Sequence, residues 1–393
     1  MKSANAATPL SVAEKKLLAG AYYTFFVNGM LALVLGALLP YLREAYGLGY
    51  GLAGMLLSMH SIGNLIASFI GGVLPLYLGR RGSAVLLSGC GALAFLLIAV
   101  SSNPAVLLFA FLCTGLARGN ASIVDNAVIN DIATGKAWAL NLLHAVFAIG
   151  AFLAPFLVLG FAAGSADRWV WAVAALLIFC LSQMLVFGTM KLPDAQRARK
   201  DKQAASFSFL RSKKFLTACG ILFFYLCAEQ GVNGWLVTYF KDSGILSDTM
   251  AQTMASVLWL FILAGRLVCA ALSARVKKSH LLCISAVGYA AFFVVALTSR
   301  TALPSAVGVV GLGFCMAGLY PTTVADVGGE LKAHPLALPT LLTIAGTGAI
   351  IMPSIVGAVA EKVGIVGGMS TILVAAALTL VCIFYNAWLE RGR

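Results

Sequence analysis

Apolar runs of about 20 residues follow one another from residue 18 to residue 389. Each is long enough to cross the ~30 Å hydrocarbon core of a bilayer as a helix. In lipid, every backbone N–H and C=O must be satisfied inside the chain, which leaves helices or a closed barrel. The ~10-residue alternation of barrel strands is missing from these runs. Composition agrees: 61% of the 393 residues are hydrophobic and 10% are charged, against roughly a quarter charged in a soluble domain. The chain reads as an all-α, multi-pass membrane protein with twelve transmembrane helices, the first over 18–43 and the last two over 336–361 and 365–389.

The polar start lacks a cleavage-site pattern after an apolar core, so the first run is expected to be a span rather than a signal peptide. The nine cysteines all fall in apolar segments and form no CxxC pair. They read as small core residues, with no disulfide or metal role.

Basic residues set the orientation, because lysine and arginine concentrate on cytoplasmic loops. With the termini and the even-numbered loops on one side, that side collects 20 of the 27 basic residues and the other side 5. Arg118 and Arg266 fall inside spans. Both termini and the charged segment 191–212 are therefore predicted to be cytoplasmic, in a cytoplasmic (inner) membrane. The net charge of +13 follows from this bias and needs no nucleic-acid partner. The expected partners are the lipid bilayer and a small solute, with the protein as a monomer.

The chain repeats itself at an offset of 198. "IGAFLAPFLVLG" (149–160) aligns with "TGAIIMPSIVGA" (347–358), matching Gly150 to Gly348 and Pro155 to Pro353. The same offset sets "YLREAYGLG" (41–49) on "YFKDSGILS" (239–247), and "TGLARGNASIVDNA" (114–127) echoes "AGLYPTTVADVGG" (317–329) with a small shift. Two pseudo-symmetric six-helix bundles are predicted, over 1–190 and 213–393, joined by the linker 191–212. Repeats of this kind place a solute between the halves near the bilayer midplane. Six plus six helices with a basic central loop resemble the major facilitator superfamily. Between helices 2 and 3 that family usually carries Gly-x-x-x-Asp-Arg-x-Gly-Arg-Arg. Here the loop reads "GVLPLYLGRR": Gly72, Gly79, Arg80 and Arg81 fit, but Leu76 and Tyr77 replace the acidic and basic pair. That departure speaks against the drug-antiporter branches.

Charge within lipid is expensive, ~2.5–3.5 kcal/mol on insertion scales, so polar residues inside spans carry the functional signal. Helix 7 holds "AEQGVNGW" (228–235). Glu229 falls near mid-membrane, and Asn233 shares its helical face four residues on. Gly231 and Gly234 loosen the helix, and Trp235 offers a flat face to a sugar ring. On helix 4, Ser122, Asn126 and Asn130 are spaced by four, with Asp125 beside them. On helix 5, Asn141 and His144 share a face at the depth of Asp125. A carboxylate near an imidazole in low dielectric suits proton handling. Asn28 on helix 1 and Tyr320 on helix 10 complete the expected cavity, and His60 has no evident partner. Arg118 is spaced to pair with Asp125; it, Arg266 and Asp326 read as gating or structural charges.

"LNLLHAVFAIGAFLAP" together with "AEQGVNGWLVTYF" resembles the fucose–galactose–proton symporters and the sodium-dependent glucose-transporter-like proteins. In that group an Asn on helix 4 precedes Leu-Asn-Leu-x-(Gln/His) on helix 5, places taken here by Asn126, Asn141 and His144. The related glucose-transporter-like proteins carry an acid-x-x-x-Gly-x-Trp run similar to Glu229 through Trp235. Where the fucose symporters have a glutamate four residues before the helix 4 Asn, this chain has Ser122. The protonation role therefore falls to Glu229 or Asp125, with His144 assisting.

The reading is a secondary active transporter, not an enzyme, taking up a small polar solute of the sugar type by alternating access. A proton is the expected coupling ion, with sodium as the alternative, and no cofactor or metal is expected. The runner-up is an efflux antiporter for drugs or amphiphilic metabolites. An ATP-driven pump would need a G-x-x-x-x-G-K-[ST] loop, which the sequence lacks.

Overall fold

The computed structural model describes residues 11–133, 137–162, 165–192, 207–273, 275–334 and 336–391. Most of the expected linker, 193–206, lies outside them. Short polar signals start the helices. Ser11 and Glu14 form a reciprocal capping box on α1 (Val12–Tyr46), which satisfies two otherwise orphaned N–H groups. After α2 (Tyr50–Val73) and α3 (Pro75–Val100), Asn103 caps α4 (Pro104–Ile132), with Pro104 in the first turn, where its missing N–H costs nothing. α5 (Ala137–Ala162) and α6 (Trp169–Thr189) complete the first half. Ser212 and Ser247 cap α7 (Lys213–Asp242) and α8 (Asp248–Leu272). The chain ends with α9 (Lys278–Thr298), α10 (Ala302–Met316), α11 (Leu319–Asp326), α12 (Gly328–Ala333), α13 (Ala337–Ser370) and α14 (Ile372–Arg391).

Among the described residues, eleven helical stretches have the length and hydropathy to cross a membrane, and α10 with α11 counts as one of them. The last, Ala337–Arg391, runs for 55 residues, enough for two crossings at ~20 each. Gly364 divides it: its φ of 83° and ψ of 167° are not helical, and only glycine enters that region at no steric cost. The break falls in the gap predicted between spans eleven and twelve. Twelve crossings result, so the two ends of the described chain lie at one end of the bundle. This end also carries the α2–α3, α4–α5, α6–α7 and α8–α9 connections and is called here the basic end.

The helices pack in corresponding pairs within each half. α1 packs on α5 as α7 packs on α13, α2 on α4 as α8 on α10, and α3 on α6 as α9 on α14. The halves meet along α2–α13, α5–α8 and α1–α7. The offset of 198 has a steric cause. A Cβ on Gly150 would strike the Phe26 carbonyl, and one on Gly348 the Phe223 carbonyl. Gly115 and Gly313, also 198 apart, would strike the carbonyls of His60 and Leu258, themselves 198 apart. In both halves these crossings bring backbone against backbone, and any side chain would hold the helices apart. Between the halves, Gly36 lies against the backbone of Asn233 and Gly234, and Gly54 against that of Pro353 and Gly357.

Candidate functional site

Glu229 sits sixteen residues into α7 and is buried, 8% exposed. Tyr225, one turn earlier on the same face, is within side-chain hydrogen-bonding reach of it. Two arginines set the field at its carboxylate: Arg266 of α8, more strongly, and Arg118 of α4. Tyr320 of α11 and Tyr289 of α9 feel the Glu229 charge. The acid is thus approached from both halves, because α4 belongs to the first and α7, α8, α9 and α11 to the second.

Arg118 is spaced by four from Ser122, and Ser122 from Asn126, so all three share one face of α4, and each is part-exposed. Asn28 of α1, fully buried, donates through Nδ2 to Ser122 Oγ at 3.0 Å, while its Oδ1 has no partner. Asn126 Nδ2 turns back onto the Ser122 carbonyl at 2.7 Å. Asn28, Arg118 and Glu229 stand at similar height, about halfway along their helices.

The pairing of Arg118 with Asp125 expected from their spacing does not form. Asp125, buried on the α1 side of α4, accepts from Thr24 Oγ1 at 2.8 Å, and its Oδ2 has no partner. His144 packs edge-on against Phe25, the next residue along α1, with ring centroids 5.6 Å apart. Neighbouring residues of α1 thus hold the acid and the imidazole, and no bond joins the two among the described residues. Both Asn141 and His144 are exposed, and His144 feels the charge of Arg266. Asp326 lies at the basic end, bonded to Asn386 Nδ2 at 3.1 Å and to Lys214 at 3.2 Å.

Trp235 differs from expectation. It is fully buried, its Nε1 donates to the Pro353 carbonyl at 3.1 Å, and its ring lies 6.1 Å from that of Tyr50. Two residues beyond Asn233, it projects from another side of α7, toward α13. The indole thus fills the far-end seal rather than facing a solute in this conformation. Asn233 instead accepts from Trp259 Nε1 at 3.2 Å. It lines a small cavity between the halves with Gln230, His60 and Ser61. Its free volume is about 20 Å³, room for about one water and too little for a sugar. His60 bonds Thr114 Oγ1 at 2.8 Å and feels Arg118.

The sequence reading missed Tyr225, Gln230 and Trp259. Tyr225 and Gln230 carried a usable signal, since one lies a turn before Glu229 and the other next to it. Among the described residues, no three His, Cys, Asp or Glu side chains gather as a metal site.

Hydrogen bonds and ion pairs join the halves away from the basic end. Arg43 pairs with Asp242, which also accepts from Tyr50 at 2.8 Å. Lys241 reaches Glu44 at 3.3 Å, and the Gly51 N–H donates to Glu361 at 2.9 Å. Deeper in, Ser58 meets Ser354 at 2.7 Å, and Gln252 and Ser256 donate to the carbonyls of Ala37 and Phe152, each at 2.8 Å. The far end is shut.

The model of the Major Facilitator Superfamily matches residues 21–331. The chain belongs to this superfamily. It is a membrane-embedded solute transporter rather than an enzyme. The glucose/galactose transporter of Brucella abortus biovar 1 is 26% identical over 388 residues, covering 93% of this chain and 90% of that protein. Bypass of stop codon protein 6 of Saccharomyces cerevisiae is 22% identical over 380 residues, covering 87% and 76%. The fold matches the crystal structure of the nucleoside transporter NupG, with a TM-score of 0.70 and 16% identity over 97% of this chain and 99% of that one. It also matches a bacterial homolog of the human lysosomal transporter Spinster, in an inward-facing and occupied conformation, with a TM-score of 0.74 and 12% identity over 96% and 98%.

Proposed function

We propose that this chain is a proton-coupled carrier that takes up a small hydroxyl-rich solute of the sugar type across a cytoplasmic membrane, with both termini inside. Residues 1–190 and 213–393 are the two rocking bodies, and 191–212 is the cytoplasmic tether. The observation that carries this reading is Glu229: a buried carboxylate at mid-membrane, facing charges from both halves. Intramembrane acids are costly and mark proton or substrate paths. The amides of Asn28, Asn126 and Asn233 supply hydrogen bonds of the kind hydroxyl groups take. The glucose/galactose transporter among the relatives supports a sugar-type solute. A shut far end, with His144 and Asn141 exposed nearer the basic end, fits the inward-facing stage of alternating access.

In this cycle Glu229 gains a proton from outside, the solute binds against the amides, and the halves rock. The proton then leaves inward, past Asp125 and His144. Glu229→Gln mimics the protonated acid. It is expected to keep solute binding and exchange but to lose accumulation driven by a pH gradient, measured in proteoliposomes. If Asp125→Asn abolishes accumulation while Glu229→Gln does not, the coupling proton belongs to Asp125.

A further inference from the structure

Arg118 and Arg266 face the middle of the molecule from opposite halves, and both are part-exposed. Among the described residues neither makes an ion pair or a hydrogen bond, and Arg118 Nε is sealed from solvent with no partner. The nearest acid, Glu229, feels both but binds neither directly. Two guanidinium groups against one carboxylate leave a surplus positive charge inside the membrane-spanning bundle, Arg118 at mid-height and Arg266 about two turns nearer the basic end. Intramembrane charges are ordinarily paired, and an unpaired one marks a ligand path. Other resident groups do not supply the missing anion. Tyr225, Tyr320 and Tyr289 face Glu229 from α7, α11 and α9. His60 faces Arg118 from α2, and His144 faces Arg266 from α5. Asp125 accepts from Thr24 on another side of α4 and pairs with neither arginine.

We infer that the solute carries a carboxylate, held between Arg118 and Arg266, with its hydroxyl groups on the Ser122–Asn126 face of α4; the solute is a sugar acid or a similar hydroxy acid. This rests on the transporter reading above and names the solute's charge. A guanidinium matches a carboxylate with two parallel N–H···O bonds, and one arginine from each half lets the bound anion draw the halves together. Glu229 competes with the solute for the same positive field, so its protonation favours the anion. Proton and anion then bind together and travel together.

The test uses the purified full-length chain and ligand-induced thermal stabilisation with matched probes: D-glucuronate against D-glucose, D-galacturonate against D-galactose, and D-gluconate against sorbitol. The expected result is that at least one acid stabilises at a concentration on the order of 30-fold lower than its neutral partner. The effect is stronger at about pH 6 than at about pH 7.5. Arg118→Gln and Arg266→Gln should each weaken the acid's effect on the order of 30-fold. Arg118→Lys and Arg266→Lys keep the charge and should recover part of it; they replace the Gln variants if those fail to fold. Neutral sugars binding as well as their acids would overturn the anion clamp and leave the sugar-carrier reading standing. Retention of acid binding in both Gln variants would overturn the clamp alone. If no probe of either kind binds, both readings fall.

Discussion

The two ends of the interface between the halves use the same kind of charge in opposite ways. At the far end, Arg43 pairs with Asp242 and Glu44 with Lys241 across the halves, with Lys241 also held by Asp248 of its own half at 3.1 Å. At the basic end, Arg80 pairs with Asp131 at 2.6 Å inside the first half. Lys214 pairs with Asp326 and Glu390, both at 3.2 Å, inside the second. A pair closed within one half moves with that half and does not resist separation. A crossing pair must break before its end can open. Exposed pairs are worth ~0–1 kcal/mol each, so the far end holds through several weak crossings plus the buried bonds of Ser58, Gln252 and Ser256. A seal made of many small terms can be released without any single large barrier, as the proposed alternating access requires there.

Locking the far end should have the largest effect. Ser58→Cys with Ser354→Cys, in a background without the native cysteines, places two thiols where the hydroxyls now lie 2.7 Å apart. Oxidation should abolish transport and reduction restore it; uptake continuing through a demonstrated cross-link would break the comparison. Next comes Gly54→Leu, which forces a side chain onto the Pro353 backbone. Overpacking of this kind costs ~1–3 kcal/mol, here charged to the shut state alone. Far-end positions should then react faster with membrane-impermeant thiol reagents. Asp242→Asn removes the negative charge that faces Arg43 and Tyr50 and should shift the same labelling ratio only about fivefold, for ~1 kcal/mol. The smallest effect on that ratio is expected from Asp131→Asn and Asp326→Asn. Asp131→Asn should lower stability by less than ~1 kcal/mol, Asp326→Asn, whose side chain is nearly buried, by more, and both should leave far-end labelling unchanged. A labelling change equal to that of Asp242→Asn would show that the basic-end pairs also report on the gate.

Depth could be read from the sequence; direction could not. Counting residues along apolar runs gave twelve crossings and put Glu229 near mid-membrane. The matched letters at an offset of 198 are visible in the chain, but their cause, glycine pressed on a neighbouring backbone, appears only when the helices are packed. Span position also says nothing about which neighbour a side chain meets. Arg118 was assigned to Asp125 because both sit on α4 two turns apart, yet the first faces the centre and the second faces Thr24. Trp235 was assigned to a solute because its indole offers a flat face within the same polar segment, yet two residues beyond Asn233 it is turned roughly half-way round the helix, onto Pro353. Arg266 was legible as a charge inside a span and read as a gating or structural one, but the groups it faces were not legible, since they come from α8 crossing beside α5 and α7.

The glycine crossings between the halves bear on speed rather than on strength. Where Gly36 meets the backbone of Asn233 and Gly234, and Gly54 that of Pro353 and Gly357, the helices touch backbone to backbone. Parting interdigitated side chains requires them to leave their rotamer wells one after another. Two backbones in contact can separate without that step, so in the proposed rocking cycle these crossings would serve as bearings: close-fitting when shut, yet adding little friction as the halves part.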